Sequence, residues 1–313
     1  MNKIAFVFPG QGSQYVGMGK ELAEHFTEAK AAFTEADQVL GFPLTELCWQ
    51  GPEEDLKITY NTQPALLATS IACLRVLEGR GIIADFTAGH SLGEYAALVA
   101  AGALDYQEAL SLVRFRGEVM TQAVPAGAGT MAAVLGMSKE QIQELCAKAG
   151  AYGVVEPANF NCPGQIVIAG ETTAVEKAVD MAKEMGAKRA LLLAVSGPFH
   201  SSLLASAGKA MEEHLKKADI KDAMIPVAAN VHGRLIQAHE DIREALTQQV
   251  DHPVLWEDCV NTLVEAGVNV FVEVGAGRVL SGLIKKITKE AKIFNVEDVA
   301  SLDNTLALLK ECR

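Results

Sequence analysis

Short apolar runs and longer amphipathic stretches alternate along the first part of the chain. KIAFVF at 3–8 and IADFTAG at 83–89 have the length and content of buried strands, while 19–39 and 64–78 carry apolar residues at helical spacing. Alternation of this kind predicts βα units and a parallel sheet. Helical patterns over 92–101 and 106–123 follow, and Pro125-Ala-Gly-Ala-Gly then breaks the periodicity.

Beyond the break come strand GTMAAVLG, a helix opened by Ser138 with Gln141 three residues on as a capping box, strands GVVEPA and QIVIAG, a helix over 172–185, and strand RALLLAV. The order β-α-β-β-α-β is that of a ferredoxin-like unit. It predicts a subdomain over 126–195 set into a discontinuous larger domain of 1–125 and 196–313. The larger pattern resumes with helix 201–217, strand PVAANV, helices over 240–249 and 256–266, strand VNVFVEVG, and a final helix, strand and helix. No internal repeat or low-complexity stretch interrupts this α/β organisation.

Half of the 313 residues are hydrophobic, enough for a buried core, and Lys+Arg 27 against Asp+Glu 39 leaves a net charge of -12. That balance opposes binding to a phosphate backbone, so no nucleic-acid partner is expected. No apolar run reaches the ~18 residues of a membrane-spanning helix. The five apolar residues before Pro9 fall short of a secretory signal, and a cytoplasmic protein is expected. Cys48, Cys73, Cys146, Cys162, Cys259 and Cys312 form no C-x-x-C pair, so neither a zinc site nor a disulfide framework is expected.

The sharpest chemical signal is Gly89-His90-Ser91-Leu92-Gly93, a G-x-S-x-G between a predicted strand and a predicted helix. A nucleophile elbow has this context: the glycines allow a tight turn, the hydroxyl is thrust outward, and the first helical N–H groups face a developing oxyanion. The same string also suits a serine that merely caps a helix. A catalytic serine needs a base, and the chain offers His25, His90, His200, His214, His232, His239 and His252. His25, His214 and His239 lie in charged surroundings and are expected to face water, and His90 is expected to point away from the nucleophile. His200 follows a Gly-Pro loop from which an imidazole can reach the elbow, but spacing does not single it out. Phe8-Pro-Gly-Gln-Gly-Ser-Gln14 and Gly275-Ala-Gly277 match no phosphate-binding loop. With the elbow, they are expected to share the carboxyl edge of the sheet. Arg114 and Arg116 are two positions apart on one predicted helix, so one of them can enter the crevice, where a guanidinium matches a carboxylate.

Seven stretches, in order, resemble the malonyl-CoA:acyl carrier protein transacylases of bacterial fatty acid synthesis: FVFPGQGSQYVGMG at 6–19, TAGHSLGEYAALVAAGAL at 87–104, LVRFRG at 112–117, ANFNCPGQIVIAG at 158–170, GPFHS at 197–201, HPVLW at 252–256 and EVGAGRVLSGLIK at 273–285. The resemblance implies a hydrolase-like parallel-sheet domain with an inserted ferredoxin-like α+β subdomain. It implies ping-pong acyl transfer from malonyl-CoA to acyl carrier protein, with no ATP, metal or redox cofactor.

By the same resemblance Ser91 is the nucleophile, His200 the general base and acid, and the main-chain carbonyl of Gln249 the group that orients His200. The backbone N–H groups of Gln11 and Leu92 match the oxyanion hole. Arg116 matches the partner of the malonyl carboxylate, and Phe199 the ring that limits room at the substrate's α-carbon. Asn159 and Asn161 belong to the family signature and are expected to hold the loop between two small-domain strands. For an acidic carrier, Lys188 with Arg189, or Lys285, Lys286 and Lys289, are candidate docking charges. An acyltransferase serving a polyketide synthase shares these motifs. A serine esterase or thioesterase would instead require an acidic third residue such as Asp105 or Glu118, and a noncatalytic module of the same fold would need no nucleophile and base together.

Overall fold

The computed structural model describes residues 2–312, with side chains through Lys310, so the side chain of Cys312 lies outside the described residues. The strands are β1 (Lys3–Phe8), β2 (Phe86–Gly89), β3 (Gly129–Leu135), β4 (Val155–Cys162), β5 (Gln165–Glu171), β6 (Arg189–Leu192), β7 (Val227–Ala229), β8 (Arg234–Ile236), β9 (Val268–Val274) and β10 (Lys292–Val296). They form a larger sheet in the order β10-β9-β1-β2-β7-β8 and a smaller one in the order β4-β5-β3-β6. The larger sheet is parallel except at the β8 edge, which runs antiparallel to β7. β8 was not foreseen, because three residues are too few to show alternation.

β1 is covered on both faces. Phe6 and Phe8 join Val270, Val272 and Val274 on one side, while Ala5, Val7 and Phe271 pack on the other. A parallel strand buried on both faces therefore appears as an unbroken apolar run. The helix Thr59–Glu78 is buried along nearly its whole length, packed against the helices Thr27–Leu40 and Tyr106–Gln122. It begins five residues before the expected 64–78 and is core on all sides rather than amphipathic. Pro64 lies inside it and cannot donate to the Tyr60 carbonyl, which accepts from Arg114 Nη1 at 3.1 Å instead. The expected helix at 19–39 is two helices, Lys20–His25 and Thr27–Leu40, parted by an extended Phe26. The short helices Leu44–Gln50 and Glu53–Leu56 carry too few turns to show a period.

The smaller sheet is antiparallel, and its helices Lys139–Ala149 and Thr172–Glu184 share a core with Ala132, Val134 and Ile168. With the chain order β3, helix, β4, β5, helix, β6, this is the ferredoxin-like arrangement. The capping box forms as expected: Gln141 N–H donates to Ser138 Oγ at 3.3 Å, and Ser138 N–H to Gln141 Oε1 at 2.8 Å. The opposite face of the sheet, through Met131, Ala158, Val167 and Ala169, packs into the main core. Among the described residues no helix is long and apolar enough to cross a membrane.

β2 leads into the helix Gly93–Ala100 through three residues, which leaves no room for side chains on the flanking glycines. A Cβ on Gly89 would stand 1.9 Å from the Gly93 carbonyl carbon, and one on Gly93 would stand 2.0 Å from the Phe8 carbonyl oxygen. Both obstacles are backbone, so the helix would have to move away from β2 in the first case and from β1 in the second. Gly93→Ala should therefore lower the unfolding free energy by about 1–3 kcal/mol or more, the usual range for overpacking. Urea denaturation checks this; an unchanged midpoint would mean that the turn has slack.

Candidate active site

The elbow puts Ser91 in left-handed backbone at φ 51 and its hydroxyl in a cavity of about 110 Å³ at the carboxyl edge of the larger sheet. This is where ligands bind in open α/β sheets. Asn230, just past β7, fastens the turn from both ends: its Oδ1 accepts from Ser91 N–H at 2.7 Å and its Nδ2 donates to the Gly89 carbonyl at 2.7 Å.

His200 is the histidine that reaches the serine. Its Nε2 lies 2.7 Å from Ser91 Oγ, and its Nδ1 lies 2.8 Å from the main-chain oxygen of Gln249. That carbonyl belongs to the last residue of the helix His239–Gln249, where helical acceptors go unused. Since a carbonyl can only accept, Nδ1 carries the proton and Nε2 is free to accept from the hydroxyl. Burial first, and the Arg116 cation second, push the His200 pKa down to about 3, so the ring is neutral at neutral pH. Among the described residues no carboxylate bonds to it. Asp105 caps the helix Tyr106–Gln122 through Gln107 N–H, and Glu118 pairs with Arg114, so neither candidate third residue is at the site.

The two arginines part as their spacing requires. Arg114 turns outward to Glu118 at 2.7 Å and Asn61 at 2.8 Å. Arg116 is 1% exposed and turns inward, with Nη1 donating to Gln63 Oε1 at 2.9 Å and Nη2 to Ser91 Oγ and Gln249 Oε1, both at 3.0 Å. Burial lowers its pKa, and among the described residues no carboxylate bonds to it directly.

Gln11 and Leu92 border the cavity, and among the described residues their N–H groups meet no acceptor. Phe199 lines the wall beside His200. Met131 and Asn159 lie on the smaller sheet and Leu193 and Val195 just after it, so residues of both sheets' surroundings line the cavity. Among the described residues, no three His, Cys, Asp or Glu side chains stand where they could hold a metal ion.

Two expectations need correction. Asn159 and Asn161 lie on β4 itself, not in the loop after it. Asn159 lines the cavity, and Asn161 Oδ1 lies 2.8 Å from His90 Nε2. His90 thus points away from the serine hydroxyl as expected, yet it forms part of the cavity wall. His214 is half-buried, stacked on Phe115 at 4.2 Å, rather than facing water. The described cysteines are buried free thiols, and none of them lines the cavity.

Gln63, Glu94, Asn230 and the side chain of Gln249 were not foreseen. Signals for two of them were present: Asn230 is a polar residue near the carboxyl end of the predicted strand PVAANV, and Glu94 is a lone charge in the apolar helix GEYAALVA. For Gln63 the sequence held no such signal, since its value depends on meeting Arg116 from another helix.

An acyl transferase domain model matches residues 5–304. A malonyl CoA-acyl carrier protein transacylase of Bacillus subtilis is 51% identical over 312 residues, covering 99% of this chain and 98% of the relative. The crystal structure of the transacylase of that name from Clostridium perfringens has a TM-score of 0.95 at 45% identity, covering 99% of this chain and 98% of its own. A malonyl-transacylase solved in complex with a type II polyketide synthase acyl carrier protein has a TM-score of 0.95 at 45% identity, covering 98% and 99%. With the domain model matching residues 5–304 and a relative this similar over 98% of its length, the chain belongs to the acyl transferase family and, within it, to the malonyl CoA-acyl carrier protein transacylases.

Proposed function

We propose that the protein moves the malonyl group of malonyl-CoA to the phosphopantetheine thiol of acyl carrier protein, through an ester on Ser91. One observation carries the assignment: a buried guanidinium stands 3.0 Å from the serine hydroxyl in a small cavity. A malonyl chain on Ser91 ends in a carboxylate within reach of that cation, whereas a neutral acyl chain would leave a buried charge unanswered.

His200 Nε2 takes the Ser91 proton as Oγ attacks the thioester carbonyl, and the Gln11 and Leu92 N–H groups receive the oxyanion. Collapse breaks the C–S bond, and the proton passes from His200 to the departing CoA sulfur. The carrier thiol then gives its proton to His200 and attacks the ester, and Ser91 leaves with that proton restored. Thioester, ester and thioester are close in energy, so the cycle calls for no cofactor. Arg116 exchanges its Ser91 contact for the carboxylate while its bonds to Gln63 and Gln249 are kept. Phe199 restricts branching at the α-carbon.

The division into 1–125 with 196–313 and an inserted 126–195 is part of this reading, supported by the two sheets. So is a cytoplasmic location, where CoA thioesters are used. Lys188 and Arg189 lie by the exposed Leu191 and Leu192 of the β6 edge, and Lys285, Lys286 and Lys289 form a second cluster; these are the surfaces proposed to meet an acidic carrier against the net charge of -12. A polyketide carrier in place of a fatty-acid one would change the partner and not the chemistry, a variation represented by the solved complex of a relative.

Intact mass after brief exposure to malonyl-CoA tests the reading. A malonyl adduct should appear, be absent in Ser91→Ala, and pass to added carrier protein; release of free malonate alone would mean a hydrolase. Arg116→Ala should lower kcat/KM for malonyl-CoA by about 10²-fold or more, as expected for two charge-assisted bonds, while acetyl transfer is kept or raised. Equal loss of both substrates would remove Arg116 from carboxylate recognition. Because His200 works as a base when neutral, activity should fall as pH drops through its pKa. The acid limb of kcat/KM should lie well below the ordinary imidazole value of 6.5, and a limb at that value would contradict the assignment.

A further inference from the structure

Glu94 is an acidic residue with no part in the mechanism above, yet it is 1% exposed and lies at the centre of the site's bonding. One carboxylate oxygen, Oε2, accepts from Gln249 Nε2 at 2.7 Å and from Asn230 N–H at 3.1 Å. Each donor is itself a bracket. Gln249 holds His200 through its carbonyl, Arg116 through Oε1, and the Ser91 carbonyl through Nε2 at 3.0 Å. Asn230 holds Ser91 N–H and the Gly89 carbonyl.

We infer that Glu94 is a positioning residue for acyl transfer, its Oε2 fixing Gln249 and Asn230 and through them the relative places of Ser91, His200 and Arg116. A side-chain amide can rotate, and without an acceptor at this point Gln249 Nε2 would keep one bond, to the Ser91 carbonyl, while its Oε1 is drawn toward Arg116. Burial raises the Glu94 pKa to about 7, with the two bonds and the Arg116 charge acting against that rise. Oε2 can accept in either protonation state, and the two bonds are stronger to the ionised form, which is why they hold the pKa down.

The inference rests on the reading of Ser91 as nucleophile, and the test separates the two. The rate of malonyl adduct formation is followed by rapid quench and intact mass in the parent, Glu94→Met, Glu94→Gln, Gln249→Ala, and the double variant Glu94→Met with Gln249→Ala. Methionine keeps the volume and removes the acceptor, glutamine restores an acceptor, and Gln249→Ala keeps the main-chain carbonyl. Glu94→Met and Gln249→Ala should each slow acylation by about 10²-fold, the scale of a misplacement of about 1 Å. Glu94→Gln should recover at least about tenfold of that loss, and the double variant should be slower than either single by no more than about threefold. Glu94→Met as fast as the parent, no rescue by glutamine, or losses that multiply in the double variant would each overturn the inference. If Glu94→Met does not fold, Gln249→Ala and Glu94→Gln carry the test: Gln249→Ala at parental rate overturns it, and a loss in Gln249→Ala that exceeds that in Glu94→Gln about tenfold supports it. A parent that forms no adduct would overturn the reading of Ser91 and this inference with it.

Discussion

Ser91 and His200 are, among the described residues, the two non-glycine positions with positive φ, at 51 and 61. Left-handed backbone costs a side-chain-bearing residue about 1–3 kcal/mol and persists where the surroundings over-determine it. Here the surroundings do so from every side. The elbow is closed by glycines against backbone and stapled by Asn230, while the His200 loop is held by Ser201 Oγ donating to the Pro198 carbonyl at 2.6 Å and by the Pro198 ring lying on Gly129. The two strained residues are the two that meet at 2.7 Å, so the strain is the cost of bringing hydroxyl and imidazole together from different loops.

The second constraint is electrostatic. A buried carboxylate behind the histidine, as in a serine protease, would stabilise an imidazolium but would also attract the Arg116 guanidinium. A main-chain carbonyl fixes the same tautomer with no net charge, and so leaves the cation to the cavity. The consequence is a histidine with low proton affinity beside a fixed positive charge. In the proposed reaction the weak base is offset by that charge: an intermediate that is anionic at the oxyanion and at the malonyl carboxylate forms next to Arg116 and two free N–H groups.

Much of this could be read from the chain, for physical reasons that differ by element. β1, the elbow and the capping box are local, since their residues lie within a few positions and their periods or glycines are visible directly. The choice of Arg116 over Arg114 was legible as an alternative, because a helix places positions two apart on different faces; the helix it faces decided it. What stayed hidden depends on contacts of long separation. Asn230 lies 139 positions from Ser91 and Gln249 lies 155 from Glu94, and no local pattern marks either pair. The helix Thr59–Glu78 is hidden in another way: its first turn, with Thr62 and Gln63, is polar and lies before the expected start at 64, yet Thr62, Gln63 and Thr69 each find a partner inside the core.

Arg116 shows how neutral partners can prepare a site for an anion. Two glutamine oxygens and the serine hydroxyl occupy three of its five donors, which orients the guanidinium without cancelling its charge. A carboxylate in the place of Gln63 or Gln249 would satisfy the cation permanently, and a substrate would then have to displace it. The acid that is present, Glu94, stands one hydrogen bond further back, behind Gln249. At that distance it lessens the cost of burying Arg116 while leaving the inner bond to be made by the ligand. In the proposed reaction the first anion to bond the guanidinium directly is therefore the malonyl carboxylate, and recognition and catalysis draw on one charge.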